Sequence, residues 1–484
     1  MRLLLIFLAL FSLYISSFDI VINGARVIDP ESNTDKLLNV GIENGLIISL
    51  SESLLTGKNT IDAKGYVVAP GFIDIHSHTP TPLGQKLNIL DGITTQLDTE
   101  AGAYPILEFG SEIVSSPRIN FGASVGHYAA RIQVIEGIFQ PYFFHNGTMA
   151  SMSSPAWEKV ANDDQIEEIR AHLIAGLNQG GIGIGLLLDY MRDAISTIEL
   201  RMIFEVASKH NVPVFTHVKR NLPGDIAGLD EILMLAKDTG ASIFICHITH
   251  SAMGGVTQWL QRIEQAREEG INIATETLSY LAGGTSISAD VFRKRDWQVI
   301  FDISYEDVQW AATGEWLTEK TWNNYSKNYP NGAVNHHYLK EKWLHEALTW
   351  PDMMISTDAI PAFTKTQFSN PNISGTFSLV LGRYVREQNI LSLSEALSKM
   401  SLKQAQWLEG FAPSFRKKGR VQIGMDADLV IFDPNTVSAN ATYGSPYEAS
   451  SGIRWVIVNG KLAVKNGEII PEVAAGKRIT TQKN

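Results

Sequence analysis

Two histidines one residue apart close an apolar run in the stretch FIDIHSHTP, Phe72 to Pro80. Alternation along a β-strand puts His76 and His78 on one face and Ile73, Ile75 and Ser77 on the other. Two imidazoles on a shared face are the beginning of a metal site. Four more apolar runs end in similar chemistry: ITTQLDTE in Asp98 and Glu100, VPVFTH in His217, SIFICH in His247 and MMISTD in Asp358. A single histidine at a strand end is most simply a hydrogen-bonded packing residue, and His210, His336, His337 and His345 are read that way. A whole set of such ends is different, because clustered buried carboxylates and imidazoles are costly to desolvate unless a cation compensates them. Mixed imidazole and carboxylate ligands suit Zn²⁺ best. Mn²⁺, Fe²⁺ or Ni²⁺ would be accepted, Mg²⁺ and Ca²⁺ are disfavoured by the nitrogen content, and the pattern fits one or two ions.

Ligands so far apart in sequence need a scaffold that gathers strand ends. Between 71 and 411 short apolar runs alternate with helix-like segments, as in STIELRMIFEVASKH, VPVFTH, GLDEILMLAKDTG and ASIFICH. That alternation predicts a parallel sheet with crossover helices, and over this length a closed (β/α)8, TIM-like barrel whose C-terminal mouth carries the site. Segments 18–70 and 412–484 read instead as short strands with Gly and Asn turns. They predict one small, discontinuous β-sandwich domain built from both ends of the chain. The rhythm breaks at about 285–350, which holds Trp297, Trp310, Trp316, Trp322, Trp343 and Trp350, six of the ten tryptophans. An insertion or lid is expected there, its indoles packing a small subdomain.

Composition narrows the class. Of 484 residues 44% are hydrophobic and 19% charged, ordinary globular values, and the net charge of -11 argues against a nucleic-acid partner. Residues 1–17, MRLLLIFLALFSLYISS, carry one Arg, an apolar core and small serines. They read as a signal peptide of an exported protein, periplasmic or secreted, with no stable membrane span after removal. Cys246 is the only cysteine, so no intrachain disulfide is possible.

The motifs PGFIDIHSH, the histidines closing the fifth and sixth strands, the STD aspartate and GMDADLVIFDP together resemble the amidohydrolase superfamily. ATETLSYLAGGTSI, GTFSLVLGRYVRE and GSPYEASSGIRWVIVNGKLAVKNGE resemble its D-aminoacylase, or N-acyl-D-amino-acid deacylase, branch, and the likeness runs over nearly the whole mature chain. The resemblance implies a metal-dependent hydrolase that cleaves the amide of N-acyl amino acids, of the D series in that branch, with a hydroxide activated by the metal. A small acyl-amide is thus the expected partner. By the same resemblance His76 and His78 share a metal with Asp358, while His217 and His247 hold a second or dominate the tighter site. Asp358 would also move the proton from water to the departing amine, Tyr280 would donate to the oxyanion and Ser286 would contact substrate.

Several positions depart from the pattern. The stretch GIGIGLLLDY has no Lys where many superfamily members bridge their metals, and the branch's Cys after strand two is missing. Glu100 is expected to bridge instead, with Asp98 its rival. The usual H-P-R reads Asn370-Pro371-Asn372, and a Lys beyond the sixth-strand His is replaced by Thr249 with His250 following. Asn372 and His250 therefore stand at substrate-binding positions, and Lys219, Arg220 or Lys365 are candidate replacement cations. His127 and Arg131 in GHYAAR fit the branch near strand three. A dipeptidase or cyclic-amide hydrolase is the alternative on the same scaffold. A non-catalytic binding protein would be expected to lose ligands or the aspartate, and here every position is filled.

Overall fold

The computed structural model describes residues 18–145, 148–365 and 369–481, so the signal-peptide reading of 1–17 lies outside the described residues. Eight parallel strands follow one another around a barrel: β1 (Phe72–Asp74), β2 (Ile93–Ala103), β3 (Asn120–Gly126), β4 (Ile184–Leu186), β5 (Val214–Thr216), β6 (Ile243–Ile245), β7 (Ile273–Thr277) and β8 (Met354–Ile355). Every strand pairs with the next in chain order. The ring closes just beyond β8 and β1, where Ser77 bridges Ala359, the His78 amide donates to the Ala359 carbonyl (3.1 Å) and the Asp358 amide donates to that of His76 (2.8 Å). Closure thus ties together the segments that carry the opening histidines and the last aspartate.

Strands β4, β5 and β6 are buried along their whole length, which is why they read as continuous apolar runs rather than alternating ones. The helices between them bury one stripe each. In helix Thr197–Lys209 the Ser196 hydroxyl caps the Glu199 amide, and Leu200, Ile203, Phe204 and Ala207 repeat at the spacing of one helical face. The next, Ala227–Thr239, stops at Gly240, whose φ of 75° suits a residue without a Cβ.

The two ends of the chain pair into one nine-stranded sheet, in which Val67–Pro70 lies against Leu429–Phe432. Strand Phe18–Asp29 pairs with Gly57–Asp62 through its first half and with Val67–Pro70 through its second, and its antiparallel pairing with Thr34–Glu43 shifts register between Ile22 and Ala25. At the junction with the barrel Lys418 is buried between Asp426 (3.1 Å) and Asp428 (2.6 Å), and Asp428 also accepts from Asn120 of β3 (3.1 Å).

The tryptophan-rich insertion forms a four-stranded antiparallel sheet of Gly283–Ser286, Ala333–His336, Val308–Trp310 and Glu315–Trp316, with short helices. Its indoles pack internally: Trp297 stacks on Trp322 at 4.8 Å and Trp310 on Tyr325 at 4.4 Å.

Candidate metal centre and active site

Beyond the ends of β1, β5, β6 and β8 and within the last residues of β2, four imidazoles and two carboxylates converge. His76 Nδ1 donates to Glu276 Oε1 (3.0 Å) and His78 Nδ1 to Asp98 Oδ1 (3.1 Å). Those carboxylates fix both tautomers, so the two Nε2 lone pairs point inward, 3.3 Å apart. Asp358 Oδ1 lies 3.3 Å from both Nε2 atoms, and Glu100 Oε2 lies 3.3 Å from that of His76 and 3.5 Å from that of His78. The other oxygen of Glu100 faces the second pair, 2.9 Å from His217 Nδ1 and 2.7 Å from His247 Nε2, nitrogens that are themselves 3.0 Å apart. Two donor clusters therefore share one carboxylate. Lone pairs set against lone pairs and anions are unfavourable in a buried site, and a divalent cation in each cluster is what this donor set fits.

Local folding explains the convergence. Asp74 accepts from the hydroxyl (2.6 Å) and amide (3.1 Å) of Thr357, locking the ends of β1 and β8 together; burial raises its pKa to about 7 against those lowering bonds. Asp358 and His247 adopt left-handed backbone conformations (φ of 45° and 34°), sharp turns that stop the strand and swing the side chain over the mouth. Glu276, wholly buried on β7, serves both clusters, since the same Oε1 that holds His76 accepts the His247 amide.

The clusters floor a cavity lined also by Phe143, Met149, Met152, Leu187, Tyr190, Thr285, Ser286 and Ile360. The Asp358 side chain is 21% exposed, the most open of the site's ligating carboxylates, so it can reach a bound molecule. Tyr190 packs on His217 with ring centroids 4.5 Å apart and its hydroxyl accepts from Thr285 Oγ1 (3.1 Å). Burial pushes its pKa far above the ordinary phenol value, so its own proton stays available for donation.

With the site geometry in place, the sequence comparison becomes decisive: residues 67–463 match the Amidohydrolase family. The chain belongs to that family. Among its relatives are the N-acyl-D-glutamate deacylase of Alcaligenes xylosoxydans xylosoxydans, 26% identical over 91% of this chain and 93% of the relative, and the D-aminoacylase of the same organism, 25% identical over 92% and 94%. A crystal structure of the N-acyl-D-glutamate deacylase of Bordetella bronchiseptica, complexed with zinc and a phosphonate inhibitor, superimposes with a TM-score of 0.78 at 22% identity, covering 96% of this chain and all of that one.

In this amidohydrolase the six expected metal ligands come together, and Glu100 rather than Asp98 lies between the histidine pairs. Asp98 instead accepts from His78 Nδ1 and from the Gly102 amide (3.0 Å), an orienting position. Ser286 lines the cavity. Four other expected substrate contacts are placed elsewhere. Tyr280 donates to the Ala441 carbonyl (3.2 Å) and borders a separate cleft with Tyr384 and Tyr443, because the chain turns outward after β7 toward the C-terminal segment. Lys219 pairs with Glu231 (2.8 Å) on the following helix. His250 is buried behind the site, where desolvation, then the neighbouring His247, lowers its pKa to about 3 and keeps it neutral. Asn372 spends its amide on the Thr357 carbonyl (2.7 Å). Of the other candidate cations, Lys365 is exposed and Arg220 is buried against Asp189 (3.2 Å).

Sequence reading missed Tyr190, Glu276 and Asp189. Tyr190 ends GIGIGLLLDY, the stretch that lacks the superfamily's lysine, and Glu276 is the lone charge in INIATET, whose strand Ile273–Thr277 is buried throughout. Asp189 gathers Arg220, Arg295 (3.0 Å) and Arg192 (3.6 Å) behind His217; burial opposes its charge, but Arg220 and Arg295 hold its pKa at about 2. His127 and Arg131 both engage Glu199, wholly buried and apart from the cavity.

Proposed function

We propose that this amidohydrolase is an exported zinc enzyme that cleaves the amide bond of N-acyl amino acids, preferring the D series. The observation that carries the reading is Glu100 set between two histidine pairs beneath a small-molecule cavity, together with relatives named for deacylation of N-acyl-D-amino acids. His76, His78 and Asp358 would hold one ion, His217 and His247 another, and Glu100 would touch both. A divalent cation there lowers the pKa of water toward neutrality and polarises the scissile carbonyl. Asp358 accepts the proton of the attacking water and delivers it to the departing amine, a transfer suited to a carboxylate at the cavity floor. Tyr190 donates its hydroxyl to the developing oxyanion. Thr285 holds that hydroxyl in place through the bond it donates. Export rests on the signal-like 1–17, and no helix among the described residues is long and apolar enough to cross a membrane.

Acetate release from N-acetyl-D-leucine and N-acetyl-L-leucine, with zinc-loaded and chelator-treated protein, tests the reading. Release from the D enantiomer alone, lost on chelation, is expected. Equal release from both enantiomers would remove the stereochemical assignment, and release untouched by chelation would remove the metal from the reaction.

A further inference from the structure

The walls of the cavity say what kind of molecule it receives beyond the scissile bond. Phe143, Met149, Met152, Leu187 and Ile360 are apolar, and among the described residues no Lys or Arg lines it. The cations nearby are already matched. Arg220 hydrogen-bonds Asp189 through both its amide and its Nε, lies over the Phe301 ring at 5.3 Å and turns its remaining nitrogens to Tyr338 (3.4 Å) and His217 (3.4 Å). Arg295 shares the same Asp189, and Lys219 is bound to Glu231. The polar lining is also largely self-satisfied, since Ser286 Oγ donates to the Pro330 carbonyl (3.2 Å) and Thr285 to Tyr190.

What remains unsatisfied near the cavity is neutral. At Gly284, which lines the cavity, a Cβ would stand 3.2 Å from Asn370 Nδ2 and 3.3 Å from Asn335 Oδ1, so neutral amides back this part of the wall. The Oδ1 atoms of Asn335 and Asn370 are buried and have no hydrogen-bond partner among the described residues. A carboxylate drawn from water into these walls, away from the metal centre, would find no countercharge among the described lining residues.

We propose that the site selects acyl-amides whose non-reacting end is uncharged: an N-acyl amino acid with its carboxyl group blocked as an amide, rather than the free acid. The proposal rests on the deacylase reading of the same cavity. It is tested by comparing acetate release, distinct from ammonia release, from N-acetyl-D-leucinamide and N-acetyl-D-leucine with zinc-loaded protein, alongside the L pair. The carboxamide should show kcat/KM about tenfold or more above the free acid, the scale on which a pocket penalises a polar group left unpaired. Calorimetric binding to Asp358→Asn protein should give the same order in Kd. A free acid that reacts or binds as well as the carboxamide overturns the proposal and leaves the deacylase reading standing. No acetate release from any of the four compounds overturns both.

Discussion

Glu100 and His247 meet at 2.7 Å, and the carboxylate oxygen that makes this contact is not the one that faces His76. One side chain thereby spans both histidine pairs, which is the geometry of a shared ligand between two ions. Replacing Glu100 by Ala is expected to lower bound metal by one equivalent or more and to reduce kcat at least 10²-fold, an order-of-magnitude figure for a lost electrostatic anchor. Metal analysis of the purified variant checks it, and a full complement of metal would place the bridge elsewhere.

Glu276 and Asp98 hold the Nδ1 protons of His76 and His78 and so aim both Nε2 lone pairs. Glu276→Gln and Asp98→Asn should each weaken zinc affinity by roughly 10- to 100-fold without unfolding the protein, the range found for partners that orient metal ligands. Competition with a chelating dye measures the affinity directly, and circular dichroism confirms the fold.

The ligands were legible in the sequence because a barrel fixes its strand ends, and His76, His217, His247 and Asp358 each close an apolar run. Strand alternation puts Asp98 and Glu100 on one face of β2 and does not separate them; what distinguishes Glu100 is that it lies nearer the mouth. Tyr280, Lys219, His250 and Asn372 were not legible in the same way. They lie past the strands, where the direction of a side chain depends on tertiary partners: Ala441 for Tyr280, Glu231 for Lys219, Thr357 for Asn372. No local pattern encodes a partner 161 residues away. The joined ends of the chain were visible as strand texture, but their union in one continuous nine-stranded sheet was not, since pairing between Val67–Pro70 and Leu429–Phe432 is non-local.

Lys418 is buried between Asp426 and Asp428 where the terminal sheet meets the barrel; burial opposes its charge, and the two aspartates, Asp428 foremost, raise its pKa despite it. Lys418→Met leaves those carboxylates without their cation and should destabilise the fold by about 3–5 kcal/mol. Urea denaturation of chelator-treated wild type and variant isolates this from metal binding.

Acid stability should carry the mark of Asp189. Its pKa falls from 3.8 when free to about 2 in the fold, so the unfolded chain takes up its proton first as pH drops. Stability is thus present above pH 4 and lost as pH falls through the window toward 2, by about 2 kcal/mol at 1.4 kcal/mol per unit of pKa. Urea midpoints between pH 6 and pH 2 should fall less steeply for Asp189→Asn than for wild type. Parallel slopes would show that the three arginines do not depend on this charge.

The most direct test of the central claim is to strip the protein of metal, reload it with increasing zinc and follow amide cleavage alongside metal content, for wild type and for Asp358→Asn. The substrates are N-acetyl-D-leucine and its carboxamide. Stripped wild type should show no cleavage and recover it as zinc binds, and the Asp358→Asn protein should retain zinc at the other cluster yet cleave neither substrate. Cleavage by the stripped protein, or full activity without the Asp358 carboxylate, would contradict the central claim.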